Sequence, residues 1–296
     1  MDLICWSDAA SAARIAGRPI LAVETMALRA GIAPAARPAF AGSMAELAAR
    51  QGAEIAWLAM VGGRARIGLD PGELDRFLAL ETVRKVASRD LGATSSAECD
   101  GALTVSASLA VMRAAGLDML VTGGIGGVHR EAGDISADIA AIGSGAGMIV
   151  CAGIKPFLDI GATLAALDAL EVPIWGLGCD AVPVLYAAGN HPVDRRFDDV
   201  RAISRAAAAQ GELGGKPPIV VVAVPPEHAI GRDRLDRWID SALEDCARRG
   251  IAGSAVTPAL VDHLDTISAG AVRKANAAAL ATAIEAAVAI ASDGKR

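Results

Sequence analysis

Ile219-Val220-Val221-Val222-Ala223-Val224 is an unbroken run of apolar residues, most of them β-branched. A strand that is apolar at every position has both faces buried, which is typical of a parallel sheet covered by helices on both sides. Similar short runs alternate along the chain with longer segments of helical period. This alternation predicts an α/β fold with a mostly parallel central sheet and helices on both faces.

The same patterns place the individual elements. Strands are predicted at Pro19–Val23, Glu54–Met60, Val83–Val86, Met119–Thr122, Met148–Cys151, Ile174–Gly176 and Ile219–Val224. Helices are predicted at Met44–Arg50, Pro71–Leu78, Thr104–Ala115, Ser136–Ile142, Pro156–Leu170, Phe197–Gln210, Arg232–Arg248, Pro258–Ser268 and Arg273–Ala291. No repeat or low-complexity linker divides the chain, so residues 1–296 are predicted to form a single domain.

Composition excludes several classes of protein. The 34 acidic residues outnumber the 28 basic ones, which argues against a nucleic-acid partner. The longest stretch without a charged residue, Ile139–Ile154, is too short to span a membrane. Met1–Asp8 lacks the basic and apolar regions of a signal peptide, and the five cysteines are scattered without a Cys-x-x-Cys pair. A cytoplasmic protein with free thiols and no membrane partner is expected.

Two segments after the predicted strand at Met119–Thr122 are candidates for anion binding. Thr122–Arg130 (TGGIGGVHR) has four glycines whose amides could approach a phosphate, although a tight turn is the alternative. Its spacing is not that of a dinucleotide-binding loop, which disfavours a nicotinamide-dependent dehydrogenase. In Asp134–Asp138 (DISAD), Asp134 or Ser136 could cap a helix or serve a metal or phosphate site.

Lys155 is the most informative residue in the chain. It follows the apolar strand at Met148–Cys151 and precedes Pro156, which suits the first turn of a helix. The positive end of a helix and burial would both favour the neutral amine over the ammonium there. An amine must be neutral to act as a nucleophile. A phosphate-binding lysine is the main alternative. Glu24 ends another predicted strand and could act as a general acid and base, and Lys85 could meet an anion.

Together these segments resemble the pseudouridine-5′-phosphate glycosidase family, which includes the indigoidine synthase A-like proteins. The matching stretches, in the order of the family, are Leu21–Thr25 (LAVET), Lys85–Leu91 (KVASRDL), Gly101–Val105 (GALTV), Thr122–Arg130 (TGGIGGVHR), Asp134–Ile139 (DISADI), Val150–Ile160 (VCAGIKPFLDI), Pro225–Ala229 (PPEHA) and Asn276. They extend over nearly the whole chain, from about Pro19 to Ala278.

The resemblance implies an activity and roles for matching residues. Family members reversibly cleave the C–C bond between uracil and ribose 5-phosphate with a divalent metal, usually manganese. Lys155 would form a Schiff base with the sugar, Glu24 would move protons, and Asp134 would hold Mn²⁺ through its waters. Substrate and phosphate would be bound by Lys85, Val105, His129, Ser136, Ala137, Asp138 and Asn276. A homotrimer is also implied.

This sequence departs from the family in the surroundings of the matching catalytic residues. Arg29-Ala30-Gly31 and Ala35–Arg37 stand where the family has His-Gly and an asparagine. Because the catalytic set matches while these neighbours differ, an alternative is a C-glycosynthase that joins ribose 5-phosphate to another aromatic or heterocyclic acceptor. A sugar-phosphate-binding protein without catalysis is a third hypothesis.

Overall fold

The computed structural model describes residues 3–130, 134–251 and 256–293. Two sheets are formed within these ranges. The strands are β1 (Ile4–Trp6), β2 (Ile20–Glu24), β3 (Glu54–Val61), β4 (Arg64–Ile67), β5 (Arg84–Val86), β6 (Gly101–Leu103), β7 (Met119–Val121), β8 (Val128–His129), β9 (Met148–Cys151), β10 (Leu158–Asp159), β11 (Ile174–Leu177), β12 (Arg195–Phe197) and β13 (Ile219–Val222).

Twelve α-helices accompany the strands in the described part of the chain. They are α1 (Asp8–Ile15), α2 (Thr25–Gly31), α3 (Arg37–Arg50), α4 (Pro71–Ala79), α5 (Leu91–Ser96), α6 (Val105–Ala115), α7 (Ala137–Gly143), α8 (Ile160–Asp168), α9 (Val200–Glu212), α10 (Arg232–Arg248), α11 (Val256–Ile267) and α12 (Ala271–Asp293). Single 3₁₀ turns lie at Pro34–Ala36 and Ser88–Asp90.

The large sheet has eleven strands, and its main path runs β1-β4-β3-β2-β7-β9-β13-β11-β12. From β3 to β12 every neighbouring pair is parallel. The antiparallel contacts lie on one side, where β4 and β6 both pair with β3. The predicted mostly parallel α/β sheet is therefore confirmed.

Helices cover both faces of this sheet, as predicted. Along β2, Ile20 and Ala22 face one apolar cluster, while Leu21 and Val23 face the other. This alternation buries both sides of a strand without a polar face. The first cluster receives side chains from α1, α6, α7, α8, α10 and α11, and the second from α2, α3, α4 and α9. Helix α12 contributes to both clusters.

Helix α12 is long and apolar enough to cross a membrane by length and composition. However, 56% of its apolar window is buried inside the protein. Its small buried residues, such as Ala279, Ala283 and Ala287, pack in the two apolar clusters. Its apolarity is accounted for by its place in the core.

The error in the predicted elements that matters most for the site follows Lys155. A helix is predicted from Pro156, but Leu158–Asp159 forms β10, which pairs with β8, and α8 begins only at Ile160. The Asp159 side chain caps α8 by accepting a hydrogen bond from Ala162 N at 2.9 Å. Lys155 is thus not at a helix N-terminus, and the helix-dipole argument for its amine is wrong.

Several short elements are absent from the predicted set. These are β1, β4, β6, β8, β10 and β12 among the strands, and α1, α2 and α5 among the helices. Each has at most eight residues, which is too few to show a clear period in the sequence. The helix predicted at Phe197–Gln210 begins later in the structure, because Phe197 belongs to β12 and α9 starts at Val200.

Candidate functional site

The carboxyl ends of β2, β7 and β9 lie side by side and open into a cavity of about 380 Å³. Ligands collect at this edge of parallel sheets because the loops leading into the helices meet there. The cavity is lined by Glu24, Met26, Ala27, Arg29, Ala30, Gly31, Pro34, Arg37, Lys85, Thr104, Thr122, Gly123, Gly124, Lys155, Phe157, Leu185, Tyr186, Val261, Asp265, Val272, Arg273 and Asn276. Four of the predicted site residues, Glu24, Lys85, Lys155 and Asn276, therefore share one cavity.

Glu24 is the last residue of β2 and is only 3% exposed. Its Oε2 accepts a hydrogen bond from the Thr122 hydroxyl, which follows the neighbouring strand β7. Burial raises its pKa from 4.5 to about 7, and the negative charge of Asp138 adds to the rise. The charge of Lys155, the hydrogen bond from Thr122 and the charge of Lys85 act against it. A carboxyl with this pKa can both give and take a proton near neutral pH.

Lys155 lies on a backbone segment that extends β9 beyond its last paired residue. Its amide donates to Ile125 O at 3.1 Å, and the preceding Ile154 amide donates to Pro183 O at 3.1 Å. Gly153 makes this path possible, because its φ is +92° and an added Cβ would lie 1.8 Å from Pro183 O. The half-buried Lys155 side chain is thereby directed into the cavity, where its charge acts on Glu24.

Lys85 and His129 lie on two further elements beside this pair. Lys85 is on β5 and exposed overall, yet it lines the cavity, where desolvation and the like charge of Lys155 lower its pKa. His129, on β8, is half-buried. Burial lowers the pKa of His129, the charge of Asp134 raises it, and the charges of Lys85 and Lys155 lower it further. The two residues thus belong to one electrostatic neighbourhood, although His129 does not line the cavity.

Asp138 joins two backbone segments near the cavity. Its Oδ1 accepts from Ser106 N at 3.0 Å and its Oδ2 accepts from Gly126 N at 2.9 Å. The carboxylate, 4% exposed, therefore ties the first turn of α6 to the glycine-rich segment. Since both oxygens have backbone partners, Asp138 is suited to positioning these segments and to raising the pKa of Glu24.

The other predicted phosphate-binding residues lie outside the cavity wall. Val105 is the fully buried first residue of α6. Ser136 caps α7, its side chain accepting from Asp138 N at 3.2 Å, which is the helix-capping alternative raised by the sequence. Ala137 is exposed at the start of the same helix.

Asp134, the predicted metal ligand, is exposed next to His129. Its backbone carbonyl accepts from His129 N at 2.9 Å. Within residues 3–130, 134–251 and 256–293, no group of three or more His, Cys, Asp or Glu side chains is placed to hold a metal ion. The donor set therefore fits only a hydrated ion bound by one carboxylate, a mode that Mg²⁺-like cations commonly adopt with substrate phosphates.

Asn276 connects α12 to the end of α2. Its side chain fills the space beside Gly31, where an added Cβ would lie 1.6 Å from Nδ2. Gly31 therefore cannot carry a side chain without displacing Asn276. The amide oxygen of Asn276 also lies near Gly123, 3.9 Å from an added Cβ there. Asn276 thus reaches the same wall of the cavity as Glu24 and Thr122.

Some cavity residues were given no role from the sequence. Thr122 lies in the glycine-rich stretch of the sequence. Its position after a predicted strand is the signal that could have placed it in the site. Arg29 and Arg37 coincide with the departures from the family pattern. Asp265 and Arg273, on α11 and α12, had no signal, because nothing local in their segments points to a distant cavity.

Comparisons with known proteins agree across nearly the whole chain. The family model described as "Indigoidine synthase A like protein" matches residues 9–293. A protein named pseudouridine-5′-phosphate glycosidase from Streptomyces griseus is 37% identical over 278 residues, covering 91% of this chain and 85% of that protein. One of the same name from Myxococcus xanthus is also 37% identical, covering 95% of this chain and 94% of that protein.

A solved structure shares the architecture. The prealnumycin C-glycosynthase AlnA, in complex with ribulose 5-phosphate, superimposes with a TM-score of 0.89 and is 27% identical, covering 99% of this chain and 97% of that one. Proteins named for breaking a C–C glycosidic bond and for making one are thus both similar to this chain. The chain belongs to the family of indigoidine synthase A-like proteins, as its sequence motifs indicated.

Proposed function

We propose that this protein is a C-glycosidase that reversibly cleaves the C–C glycosidic bond of pseudouridine 5′-phosphate or a related C-nucleoside 5′-phosphate through an imine on Lys155. The observation that carries the proposal is the pairing of Lys155 and Glu24 in one cavity, with the pKa of Glu24 raised to about 7. Relatives 37% identical to this chain are named for that activity.

The proposed reaction opens the sugar before the C–C bond breaks. The uncharged Lys155 amine attacks C1′, the C1′–O4′ bond breaks, and Glu24 donates a proton to O4′. The nitrogen electron pair then forms a C=N bond to C1′ as the C1′–C5 bond breaks. The ring departs with the electron pair of the C1′–C5 bond, and C5 takes the proton that Glu24 has recovered from the nitrogen. Water hydrolyses the imine, giving ribose 5-phosphate and the free amine.

Formation of an imine overcomes the main difficulty of this reaction, which is the poor leaving group. A carbon leaving group departs far less readily than an oxygen, so the two carboxylates of ordinary glycosidases would provide little help. In cleavage, the Lys155 nitrogen pair drives the ring from C1′ by forming the protonated imine, and in synthesis that imine is the electron sink that the ring carbon attacks. Lys155 as nucleophile and Glu24 as proton carrier are the smallest set of groups that this chemistry needs.

We assign the sugar phosphate to the region around Lys85. Lys85 and His129 provide positive charge or hydrogen-bond donors there, and the first turn of α6, starting at Val105, presents amides. Ser136, Ala137 and Asp138 border this region, with Asp138 holding its backbone segments together. Such remote contacts would orient the sugar at Lys155 by binding energy away from the reacting bond.

Mn²⁺ would be held by Asp134, with water and the substrate phosphate completing its shell. When bound, the ion would supply positive charge that offsets the phosphate. Removing it with a chelator should raise the concentration of ribose 5-phosphate needed for half-saturation, and adding Mn²⁺ should restore it. The homotrimer implied by the resemblance is likewise a proposal, which light scattering would measure.

The alternative is a C-glycosynthase that joins ribose 5-phosphate to another aromatic or heterocyclic acceptor. It is favoured by Arg29 and Arg37, which line the cavity within stretches that depart from the family pattern, and by the structural similarity to a C-glycosynthase.

Release of uracil from pseudouridine 5′-phosphate with Mn²⁺ would support cleavage of that substrate. No uracil, together with a borohydride-stable adduct of ribose 5-phosphate on Lys155, would favour the synthase. Binding of ribose 5-phosphate without any adduct would overturn both enzymatic proposals and favour a binding protein.

A further inference from the structure

One part of the cavity wall is rich in arginine. Arg29 on α2, Arg37 at the start of α3 and Arg273 on α12 line it together with Asp265 on α11. Arg29 and Arg37 are 7% and 8% exposed. Buried guanidinium groups are rare unless they are paired with acids. Arg29 and Arg37 are two such groups, and among the described side chains of this wall only Arg273, which is 25% exposed, has an acidic partner, Asp265.

The two buried arginines are hydrogen-bonded to neutral groups. Arg37 donates from Nε to Ile32 O at 3.2 Å and from Nη2 to Arg29 O at 2.6 Å. Arg29 donates to the carbonyl oxygens of Phe77, Leu78, Leu80 and Glu81. Carbonyl oxygens satisfy the donors but do not neutralise the charge. Both groups are thus fixed in position with their positive charge intact.

Arg273 and Asp265 form an ion pair that is incomplete on both sides. Arg273 Nη2 lies 2.9 Å from Asp265 Oδ2. Arg273 Nε and Asp265 Oδ1 are buried and have no hydrogen-bond partner among the described residues. A fork-shaped guanidinium normally uses such donors on a planar anion. Asp265 thus engages one guanidinium nitrogen of Arg273, whose side chain is 25% exposed and lines the cavity.

The cluster has more positive than negative charge. Burial, followed by the like charges of Arg29 and Arg273, lowers the pKa of Arg37 to about 10. Arg37 nevertheless stays charged at neutral pH. Glu24, by contrast, is acted on by Lys155, Asp138 and Lys85. The Lys155–Glu24 pair is at the ends of strands, whereas the arginines are on helices that line the same cavity.

We infer that the arginine cluster binds a carboxylate or ionised hydroxyl group carried by the aromatic ring of the substrate. The inference rests on the proposed function and specifies its ring substrate. Apolar side chains of Tyr186, Val261 and Val272 line the same cavity and suit the faces of a flat ring. Neutral uracil would leave the excess charge of the cluster without a counter-ion.

The phosphate of the sugar is the other anion that this cluster could hold. Two observations favour the ring substituent. Lys85 and His129 already place positive charge or donors near Lys155, and they are on β5 and β8 rather than on the helices that carry the arginines. An anion on the ring and the phosphate on the sugar would then be bound at separate places.

The test compares matched ring compounds with and without a carboxylate. Uracil is paired with uracil-6-carboxylate, and resorcinol with 2,6-dihydroxybenzoate, each titrated by calorimetry into the wild-type protein saturated with ribose 5-phosphate. The carboxylate of each pair should bind at least about tenfold more tightly, as expected for a charged hydrogen bond. This preference should shrink at high salt.

Two charge-changing variants give effects of opposite sign. Arg273→Gln should weaken the carboxylates roughly tenfold and leave the neutral rings unaffected, whereas Asp265→Asn should tighten the carboxylates. A merely structural role would move both variants in the same direction. Lys274→Gln, an exposed neighbour on α12, is the control. If a variant does not fold, the comparison of charged and neutral rings in the wild-type protein, with its salt dependence, still decides whether a carboxylate on the ring is bound.

The outcomes separate this inference from the proposed function. Equal binding of charged and neutral rings would overturn the inference, while borohydride trapping of ribose 5-phosphate on Lys155 would still uphold the function. If Arg273→Gln weakens ribose 5-phosphate but not the carboxylate rings, the cluster holds the phosphate and the inference is wrong. Failure of wild-type trapping would overturn the proposed function and, with it, the assignment of these rings as substrates.

Discussion

The two parts of the cavity are built differently. Glu24 ends strand β2, and Lys155 lies on the segment that follows strand β9. Strand β7 lies between these two strands in the sheet. The arginine cluster stands on helices α2, α3 and α12. Strand ends are fixed by the hydrogen-bonded register of the sheet, whereas the position of a helix depends on side-chain packing.

This difference indicates how one fold can keep its chemistry and change its substrate. Replacing residues on the helices alters the wall that faces the ring without moving the strand ends. In this chain the two proposed catalytic residues, Glu24 and Lys155, end or follow strands, whereas the departures at Arg29 and Arg37 are on helices. The predictions below test that division.

Replacing the amine should have the largest effect. Lys155→Met should lower kcat for C–C cleavage or synthesis by at least about four orders of magnitude, because removing a covalent nucleophile removes the reaction path. Steady-state assays of base release measure it. Lys274→Met, an exposed lysine on α12, should have no effect. Activity within tenfold of wild type in Lys155→Met would contradict the assignment.

Removing the proton carrier should have the next largest effect. Glu24→Gln should reduce kcat by roughly 10²–10⁴-fold, the usual contribution of a general acid or base. Glu54→Gln is a matched control, since Glu54 pairs with Ile20 at the opposite end of β2. An equal loss in both variants would indicate a structural effect.

Glu24 should also affect how stability depends on pH. Its pKa is raised in the folded protein, from 4.5 to about 7, so the folded state binds more protons than the unfolded state between these values. Its contribution to stability is therefore lost as pH rises through that range. Chemical denaturation from pH 5 to 8 should show a smaller decline in Glu24→Gln than in wild type. An unchanged or steeper decline would contradict the raised pKa.

The backbone that positions Lys155 should tolerate little change. Gly153→Ala should destabilise the protein by roughly 3–5 kcal/mol, because the new Cβ would collide with Pro183 O. Gly17→Ala, with a similar positive φ but nothing within 4 Å, should cost only about 1–2 kcal/mol. Urea denaturation measures the free energy of unfolding of both variants. Equal losses of stability would show that the backbone around Gly153 is not crowded.

The smallest effect is expected from the hydroxyl that contacts Glu24. Its hydrogen bond lowers the pKa of Glu24. Thr122→Val should therefore shift the limb of the kcat/KM profile that reports Glu24 to higher pH, by roughly one pH unit. Thr94→Val, at a buried threonine on α5, should leave the profile unchanged. A downward shift in Thr122→Val would contradict the direction of the hydrogen bond.

Much of the fold could be predicted because its central strands are apolar on both faces. Val150 and Val220 lie in long apolar runs, which report burial directly. The short strand Ile4–Trp6 has no such context, and it forms because Arg64–Ile67 lies beside it. Pairing with a distant segment also explains β10, which interrupts the helix predicted after Lys155.

The site could be predicted in part for the same reason. Glu24, Lys85 and Lys155 are on or directly after strands, so the parallel sheet brings Glu24 and Lys155 to one edge. Arg273 lies in an apolar helix whose packing partners are far away in the sequence, and its place in the cavity depends on tertiary contacts. Local patterns contain no information on such contacts.

The central claim is that the Lys155 amine condenses with the aldehyde of ribose 5-phosphate. The most direct measurement is peptide mass spectrometry after incubation with ribose 5-phosphate and borohydride. The expected result is one reduced adduct on the peptide containing Lys155, absent from Lys155→Met and reduced in Glu24→Gln. An adduct on Lys85 instead, or no adduct at saturating sugar phosphate, would contradict the account.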